Sequence, residues 1–314
     1  MSTANFILFI EKLVAQVYVA HLVIATFGIL INLPHLFILC HSSMRTSSTN
    51  SILIGIAICD LIVLSVVIHD RVKQFWFSTP LCSEISLLSQ WIDDLQRDIL
   101  EQTSFWLGVS LALIRLLIMK FPAKFKFLSD AKFGCCLVIF ISIISVLLSA
   151  LFFFKVNISA FQDNSECPIA SDYLAAKLNI FELISGASQI LITLIYPILA
   201  TFLITGLQKV SNFPVLTLSK KNWIKRHRSA KMILVMTVLY VICSAPCGVM
   251  DFLQLFMKES PVLDTLLSYG SVFVTLLFCL NAISHCIINF FMSSKYRETA
   301  KLILGFGKGK INMC

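Results

Sequence analysis

The chain has 314 residues, of which 58% are hydrophobic and only 13% are charged, and its formal net charge is +8. This composition is too apolar for two soluble domains of the same total length, so it excludes that class of protein. No internal repeat or low-complexity segment occurs, and the apolar residues gather into long continuous runs.

Seven of these runs are long enough to cross a bilayer, whose core of about 30 Å needs about 20 apolar residues per helix. They cover residues 14–40, 50–70, 98–120, 133–154, 179–207, 229–254 and 263–292. Because a backbone in hydrocarbon must satisfy its own hydrogen bonds, each run is predicted to be a helix. The sequence therefore predicts an all-α membrane protein, a seven-transmembrane helix bundle located in the plasma membrane.

Basic residues are distributed unevenly between the two sets of loops. Most lysines and arginines fall in 41–49, 121–132, 208–228 and the tail after 293, and most acids fall in the opposite set. Because basic loops remain in the cytoplasm, the N-terminus is predicted to lie outside and the C-terminus inside. We expect an extracellular N-terminus at 1–13, a seven-helix domain at 14–292, and a cytoplasmic tail with a short amphipathic helix at 293–314.

Two features are predicted for the outer surface. Of the 11 cysteines, only Cys82 and Cys167 fall outside the membrane on that side, where the oxidising environment favours a disulfide between them. Asn157 begins an Asn-Ile-Ser glycosylation sequon on the same side. It lies so close to the fourth run that the membrane could shield it, and its occupancy stays open.

Several polar side chains interrupt the apolar runs, where such groups are costly and mark function. They are Asn32 in the first run, Asp60 in the second, Ser104 and Arg115 in the third, and Asn281, His285 and Asn289 in the seventh. The last three follow at i, i+4 and i+8, so they share one face of a helix. We interpret the set as one buried switch network. Taken singly, Asn32 could join two helices, and Arg115 could reach the cytoplasmic interface.

Prolines interrupt the fifth and sixth runs, Pro197 in LIYPILATFLI and Pro246 in LYVICSAPCGV. Each removes a backbone hydrogen bond and bends its helix, which gives the helix a place to pivot. Prolines also form fixed kinks, so a hinge and a static bend both stay open.

Motifs in order along the chain resemble those of rhodopsin-like G-protein-coupled receptors. NSILIGIAICDL is similar to the Asn…Asp-Leu pattern of their second span, and LALIRLLIMKFP to their Asp-Arg-Tyr segment, with Arg115 at the arginine. Pro197 and Pro246 match two of their prolines, and LNAISHCIINFFMSSKYRE is similar to the ending of peptide receptors. The combination looks most like nematode serpentine receptor class W, a group of peptide-receptor-related chemoreceptors.

This resemblance implies a receptor that transmits the binding of an extracellular neuropeptide or small soluble cue to a cytoplasmic heterotrimeric G protein. In the family, the sixth helix swings outward to admit the G protein. The residues that match the contact region are Arg115, Lys225, Arg226, Arg228 and Lys231.

A set of charged residues near the outer ends of the helices is predicted to bind the ligand. The set consists of Arg97, Asp98, Glu101, Glu182 and Asp251. The first three are placed at the outer mouth by counting back along a helix from Arg115. Arg97 and Glu101 lie at i, i+4, so they could instead pair with each other.

The central motifs depart from those of the family. Its second-span Asp, third-span Ser and seventh-span Asn form a cluster that can hold sodium and water, and the matching residues are Asp60, Ser104 and Asn281. His285 stands in the place of the usual Asn, and a protonated imidazole would compete there with a cation.

Two further departures concern the third and sixth helices. Residues 225–231 contain no acid that could latch Arg115, so notable basal signalling is expected. A continuous helix from Cys82 to Arg115 would rise about 50 Å, more than a bilayer needs. Residues 83–102 are therefore predicted to include an extra loop or a protruding turn.

The main alternative is a multi-span transporter or channel, which would predict inverted repeats or helices broken near the bilayer midplane. The chain shows no such repeat. An enzyme is not expected, because no catalytic motif occurs and the histidines lack metal-ligand spacing. We likewise expect no cofactor, no metal and no nucleic-acid partner.

Overall fold

The computed structural model describes residues 3–76, 84–121, 123–153, 179–211, 231, 234–243, 245–246, 248–250, 253 and 261–305. Over these residues the chain is helical apart from short connections, and it contains no strand. The helices are α1 Thr3–Cys40, α2 Ser48–Trp76, α3 Glu84–Lys120, α4 Ala131–Phe153, α5 Asn179–Ser211, α6 Leu234–Met250, α7 Pro261–Met292 and α8 Ser294–Ile303. A 3-10 turn at Lys126–Ser129 lies between α3 and α4.

The predicted all-α membrane bundle is confirmed. Six helices are long and apolar enough to cross a membrane, and α6 is a shorter apolar helix. The helix expected after the seventh span is also present as α8. The chain is therefore a multi-pass protein of the plasma membrane.

The centre of the bundle is built around α2 and α3. α2 packs against α1, α3 and α4, α3 packs also against α5, and α1 packs against α7. Among the described spans, those of α2 and α3 are the most buried and that of α4 the least. Large apolar side chains such as Val23, Phe37 and Leu147 point away from the bundle and are exposed. In a bilayer these surfaces contact lipid.

The extra loop predicted before the third span is wrong. α3 is one continuous helix from Glu84 to Lys120, and its apolar part begins only at Leu95. The alternative, a protruding turn, is not seen either, because the protruding residues continue the same helix. The helix needs no break, because residues before Leu95 lie beyond the hydrocarbon, where polar side chains are tolerated.

α8 is fixed to the bundle by specific contacts. The Ser293 side chain accepts the Tyr296 N–H at 3.2 Å, and Arg297 donates to the carbonyls of Phe290 and Phe291 at 3.0 and 2.7 Å. These bonds cap the start of α8 and satisfy carbonyls at the end of α7. The buried Tyr296 hydroxyl lies 2.8 Å from His35 Nδ1 on α1. Burial raises the pKa of Tyr296, so its hydroxyl remains a hydrogen-bond donor.

Candidate polar switch and ligand site

A buried ion pair joins α2 to α7 in the centre of the bundle. His285 Nδ1 lies 2.7 Å from Asp60 Oδ2, and the two side chains are 1% and 0% exposed. The imidazole N–H donates to the carboxylate. Both groups have lost their hydration, and the hydrogen bond between them satisfies one polar atom of each. Both residues belong to the switch network that the sequence predicts, and the structure brings them into contact.

Buried polar atoms without partners lie around this pair. Among the described residues, Asp60 Oδ1, His285 Nε2, the Ser104 hydroxyl, the Tyr240 hydroxyl and the Asn281 amide have no hydrogen-bond partner. Leaving one such group unpaired in a protein costs about 1–3 kcal/mol. Buried groups of this kind usually bind ordered water or another small polar occupant. These atoms lie on α2, α3, α6 and α7, and we call this cluster of buried polar atoms the central chamber.

Two asparagines of the predicted network act differently from each other. Asn32 Nδ2 donates to the carbonyls of Gly28, on its own helix, and Ala282, on α7, at 3.0 and 3.3 Å. This geometry matches the interpretation of Asn32 as a link between helices. Asn289 Nδ2 donates to the His285 carbonyl at 2.8 Å, within α7. Asn289 therefore stabilises the helix turn that carries His285.

A pair of stacked tyrosines extends the network to α5 and α6, and the sequence analysis missed it. The Tyr240 ring lies 5.2 Å from the His285 ring and 5.3 Å from the Tyr196 ring, with the two tyrosines nearly parallel. The Tyr196 hydroxyl donates to the Phe105 carbonyl of α3 at 2.9 Å. A possible sequence signal was the position of Tyr196, directly before Pro197. Tyr240 therefore brings α6 into contact with His285.

Near the predicted cytoplasmic end of α3, Arg115 is only partly accessible. Its neighbours Ile114 and Leu116 are buried, and its Nε has no hydrogen-bond partner among the described residues. Lys231, in the predicted G-protein contact set, is exposed. The described part of the chain therefore does not bring Arg115 together with an acid.

The outer residues of the predicted ligand site point in different directions. Arg97 lies 3.8 Å from Asp70 on α2. Asp98 instead accepts a hydrogen bond from Ser149 of α4 at 2.6 Å and a longer one from Gln102. Asp98 therefore joins α3 to α4, whereas Arg97 faces α2.

Three residues of α1 and α2 near the outer end were not anticipated. The Arg71 guanidinium lies 4.3 Å above the Tyr18 ring, and Arg71 is 6% exposed. His21, fully buried, lies beside Tyr18 with a ring distance of 6.3 Å. The sequence signal that could have indicated these residues is an ionisable side chain near the predicted outer end of an apolar run. These side chains place a positive charge close to the predicted ligand mouth.

A second ionic group includes Asp70, the residue that pairs with Arg97. His69, Asp70 and Asp93 bring their potential ligand atoms within 4.8 Å of one another. The Lys73 ammonium, however, lies 2.7 Å from Asp93 and 2.6 Å from the Ser89 hydroxyl. Lys73 thus supplies a positive charge to the carboxylate, and the group joins α2 to α3 as an ion-pair network.

Several predicted site residues lie outside the described residues, wholly or in their side chains. They are Cys82, Asn157, Cys167, Glu182, Lys225, Arg226, Arg228 and Asp251. The two prolines are placed: Pro197 lies inside α5, and Pro246 is helical within α6.

A bundle of membrane-crossing helices with a polar core of this kind is the architecture of a seven-transmembrane receptor. The family model of the serpentine type 7TM GPCR chemoreceptor Srw matches residues 19–307. The chain therefore belongs to this chemoreceptor family, as the resemblance predicted. Among curated proteins, none matches the chain.

Proposed function

We propose that this chemoreceptor binds a neuropeptide or a small soluble cue outside the cell and activates a heterotrimeric G protein inside it. The observation that carries the proposal is the buried Asp60–His285 pair with its unpartnered neighbours. Ionisable groups inside a membrane are costly and rarely serve packing alone. A receptor that switches between two conformations needs a buried polar network whose hydrogen bonds can rearrange.

The ligand would contact the outer ends of the helices. Charged side chains of both signs meet there, including Arg97, Asp70 and the buried Arg71. We propose that Arg97 and Glu101 contact the ligand, together with Glu182 and Asp251. Asp98, which bonds to Ser149, would position α3 from behind this site.

Activation would be a shift in population toward a state in which α6 has swung outward. Ring contacts connect α6 to the core through Tyr240, which touches both His285 and Tyr196. A change around His285 would therefore release or hold α6. Pro197 and Pro246 would serve as hinges, and Arg115 with Lys225, Arg226, Arg228 and Lys231 would contact the G protein. We also propose the Cys82–Cys167 disulfide and glycosylation of Asn157.

The test is nucleotide exchange on purified G proteins, driven by the full chain in lipid vesicles. A panel of amidated basic peptides and small soluble cues is applied to the wild type. We expect at least one compound to increase exchange, and Glu101→Gln to weaken that response. Val23→Ala, a change on the lipid-facing side of α1, is the matched control and should leave the response unchanged.

One result would contradict the receptor function, and another would contradict only the assignment of Glu101. One is solute flux through the same vesicles without any nucleotide exchange, which would favour a transporter or channel. The other is an unchanged dose response in Glu101→Gln, which would remove Glu101 from the ligand site while leaving the receptor function intact.

A further inference from the structure

The receptor class that this chain resembles holds a sodium ion and water beside its second-span carboxylate, and the residues present here do not fit that ion. His285 Nδ1 lies 2.7 Å from Asp60 Oδ2, on the side of the carboxylate that faces α7. A hydrogen-bond donor already fills this direction. A metal ion needs oxygen ligands, and an N–H donor in this direction does not supply one.

Among the described residues, the other titratable groups that face Asp60 add no second carboxylate. The titratable groups near the pair are His35 from α1, Cys59 from α2, and Tyr240 and Cys243 from α6. On α3 the facing group is the Ser104 hydroxyl, which lies beside Tyr240. Asp60 is thus the one carboxylate among these neighbours. A metal ion at this position would therefore meet a single carboxylate, one oxygen of which already accepts a hydrogen bond from His285.

The remaining polar atoms of the central chamber suit water. They combine potential donors, such as the Asn281 amide nitrogen and the Ser104 hydroxyl, with acceptors, such as Asp60 Oδ1. Water can donate and accept at once. Because the cluster contains both unpartnered donors and unpartnered acceptors, a neutral molecule such as water satisfies it better than a cation.

We propose that His285 is a built-in counterion that replaces an alkali metal ion at Asp60, and that the central chamber holds water. The conformational equilibrium of this receptor is then independent of sodium concentration. This inference concerns the resting protein, and it does not depend on the identity of the ligand or on G-protein coupling.

The test measures the thermal unfolding midpoint of the purified full chain, without ligand, in sodium chloride and in choline chloride at about 0.15 M. For the wild type, we expect the same midpoint in both salts. His285→Asn removes the counterion and adds a neutral amide oxygen, so sodium can bind. We expect sodium to raise its midpoint over choline by about 2–4 °C, and to do so increasingly with sodium concentration.

Two further variants keep the test decisive. His285→Gln, which also supplies a neutral amide oxygen, is used if His285→Asn does not fold, and the same sodium response is expected. The double variant Asp60→Asn/His285→Asn lacks the carboxylate and should lose the sodium response. A higher midpoint of the wild type in sodium than in choline would overturn the proposal. So would a single His285 variant that folds but does not respond to sodium. The unfolding midpoints in the two salts do not depend on G-protein activation, so a failure of the proposed function would leave this test unaffected.

Discussion

At position 108, only a hydrogen atom fits between α3 and the two stacked tyrosines. A methyl group there would lie 2.7 Å from a ring carbon of Tyr240, and it would also overlap the Tyr196 hydroxyl. Both rings are held on several sides, since each is fully buried and stacked on the other. The site therefore cannot adjust without moving α5 or α6.

We expect Gly108→Ala to lower the free energy of unfolding by about 1–3 kcal/mol, the usual cost of overpacking a tight core. The matched control is Gly206→Ala on α5. There, the added methyl group meets only the flexible end of Met119, which can turn away. Thermal unfolding of the two variants in the same detergent compares them. Equal midpoints would show that the tyrosine pair is looser than its geometry indicates.

The residue scale also marks the limit of sequence-based prediction. Asp60 and His285 stood out because a charge in an apolar run is rare. Tyr196 and Tyr240 did not, because an aromatic residue in such a run can equally face lipid. Asp98 was assigned to the ligand mouth by counting along a helix. Each residue turns by about 100°, so counting fixes the height of a side chain more securely than its direction.

At the scale of elements, α8 and α1 form one unit on the inner side. Tyr296 bonds to His35, and the Ser43 hydroxyl lies 3.1 Å from that of Thr299. Tyr296, Thr299 and Ala300 are buried, whereas Leu302 and Ile303 are exposed. This division is the amphipathic pattern that the tail sequence predicts, with the exposed apolar residues available to the lipid surface.

Tyr296→Phe keeps the ring but removes the bond to His35, so we expect α8 to open more readily. A loss of about 1 kcal/mol corresponds to roughly fivefold faster amide hydrogen exchange in α8. Because the pKa of Tyr296 is raised, the bond contributes below the ordinary tyrosine pKa of about 10 and is lost only at higher pH. The difference should thus be constant from about pH 6 to pH 8.

Lys295→Ala is the control for this experiment. Lys295 is exposed and donates only to the Thr46 hydroxyl, at 2.9 Å. Exchange in α8 should change little in this variant. Faster exchange in Lys295→Ala than in Tyr296→Phe would mean that surface contacts, and not the buried bond, hold α8 in place.

The elements themselves were the most predictable part of the molecule. Apolar length alone located every described span, because the bilayer imposes a minimum length on each helix. The ends beyond the membrane were less predictable. α1 begins at Thr3, before the predicted start at residue 14, and α3 begins at Glu84. Outside the hydrocarbon, both helix and loop can satisfy the backbone, so the apolar pattern no longer decides between them.

At the scale of the whole molecule, the described residues contain no acidic side chain that forms an ion pair with Arg115. The residues beside it are apolar, and the start of the sixth helix carries Lys231 without an acid nearby in sequence. A receptor without such an ion pair should spend more time in its active arrangement. We therefore expect nucleotide exchange above background in the absence of ligand.

Lys231→Glu would supply the missing acid and should lower this basal exchange more than Lys231→Ala, which removes the same proposed G-protein contact without adding an acid. A partly exposed ion pair contributes about 0.5–1 kcal/mol, which corresponds to roughly a two- to fivefold decrease. Lys301→Glu on α8 makes the same change of charge away from α6 and serves as the control. Equal effects of Lys231→Glu and Lys301→Glu would attribute the decrease to net charge. A wild type with no basal exchange on any G protein tested would contradict the expectation itself.

The continuity of α3 determines how its two ends move. Arg97, near the predicted outer end, and Arg115, near the predicted inner end, belong to the same unbroken helix. α3 contains no proline, and its one glycine, Gly108, is packed against the two stacked tyrosines. Since a helix bends sharply only where such a residue or an inserted group frees it, a tilt imposed at one end reaches the other. Communication across the membrane through α3 then requires no chain of rearranging side chains within it. The helices that pack against α3 must move instead.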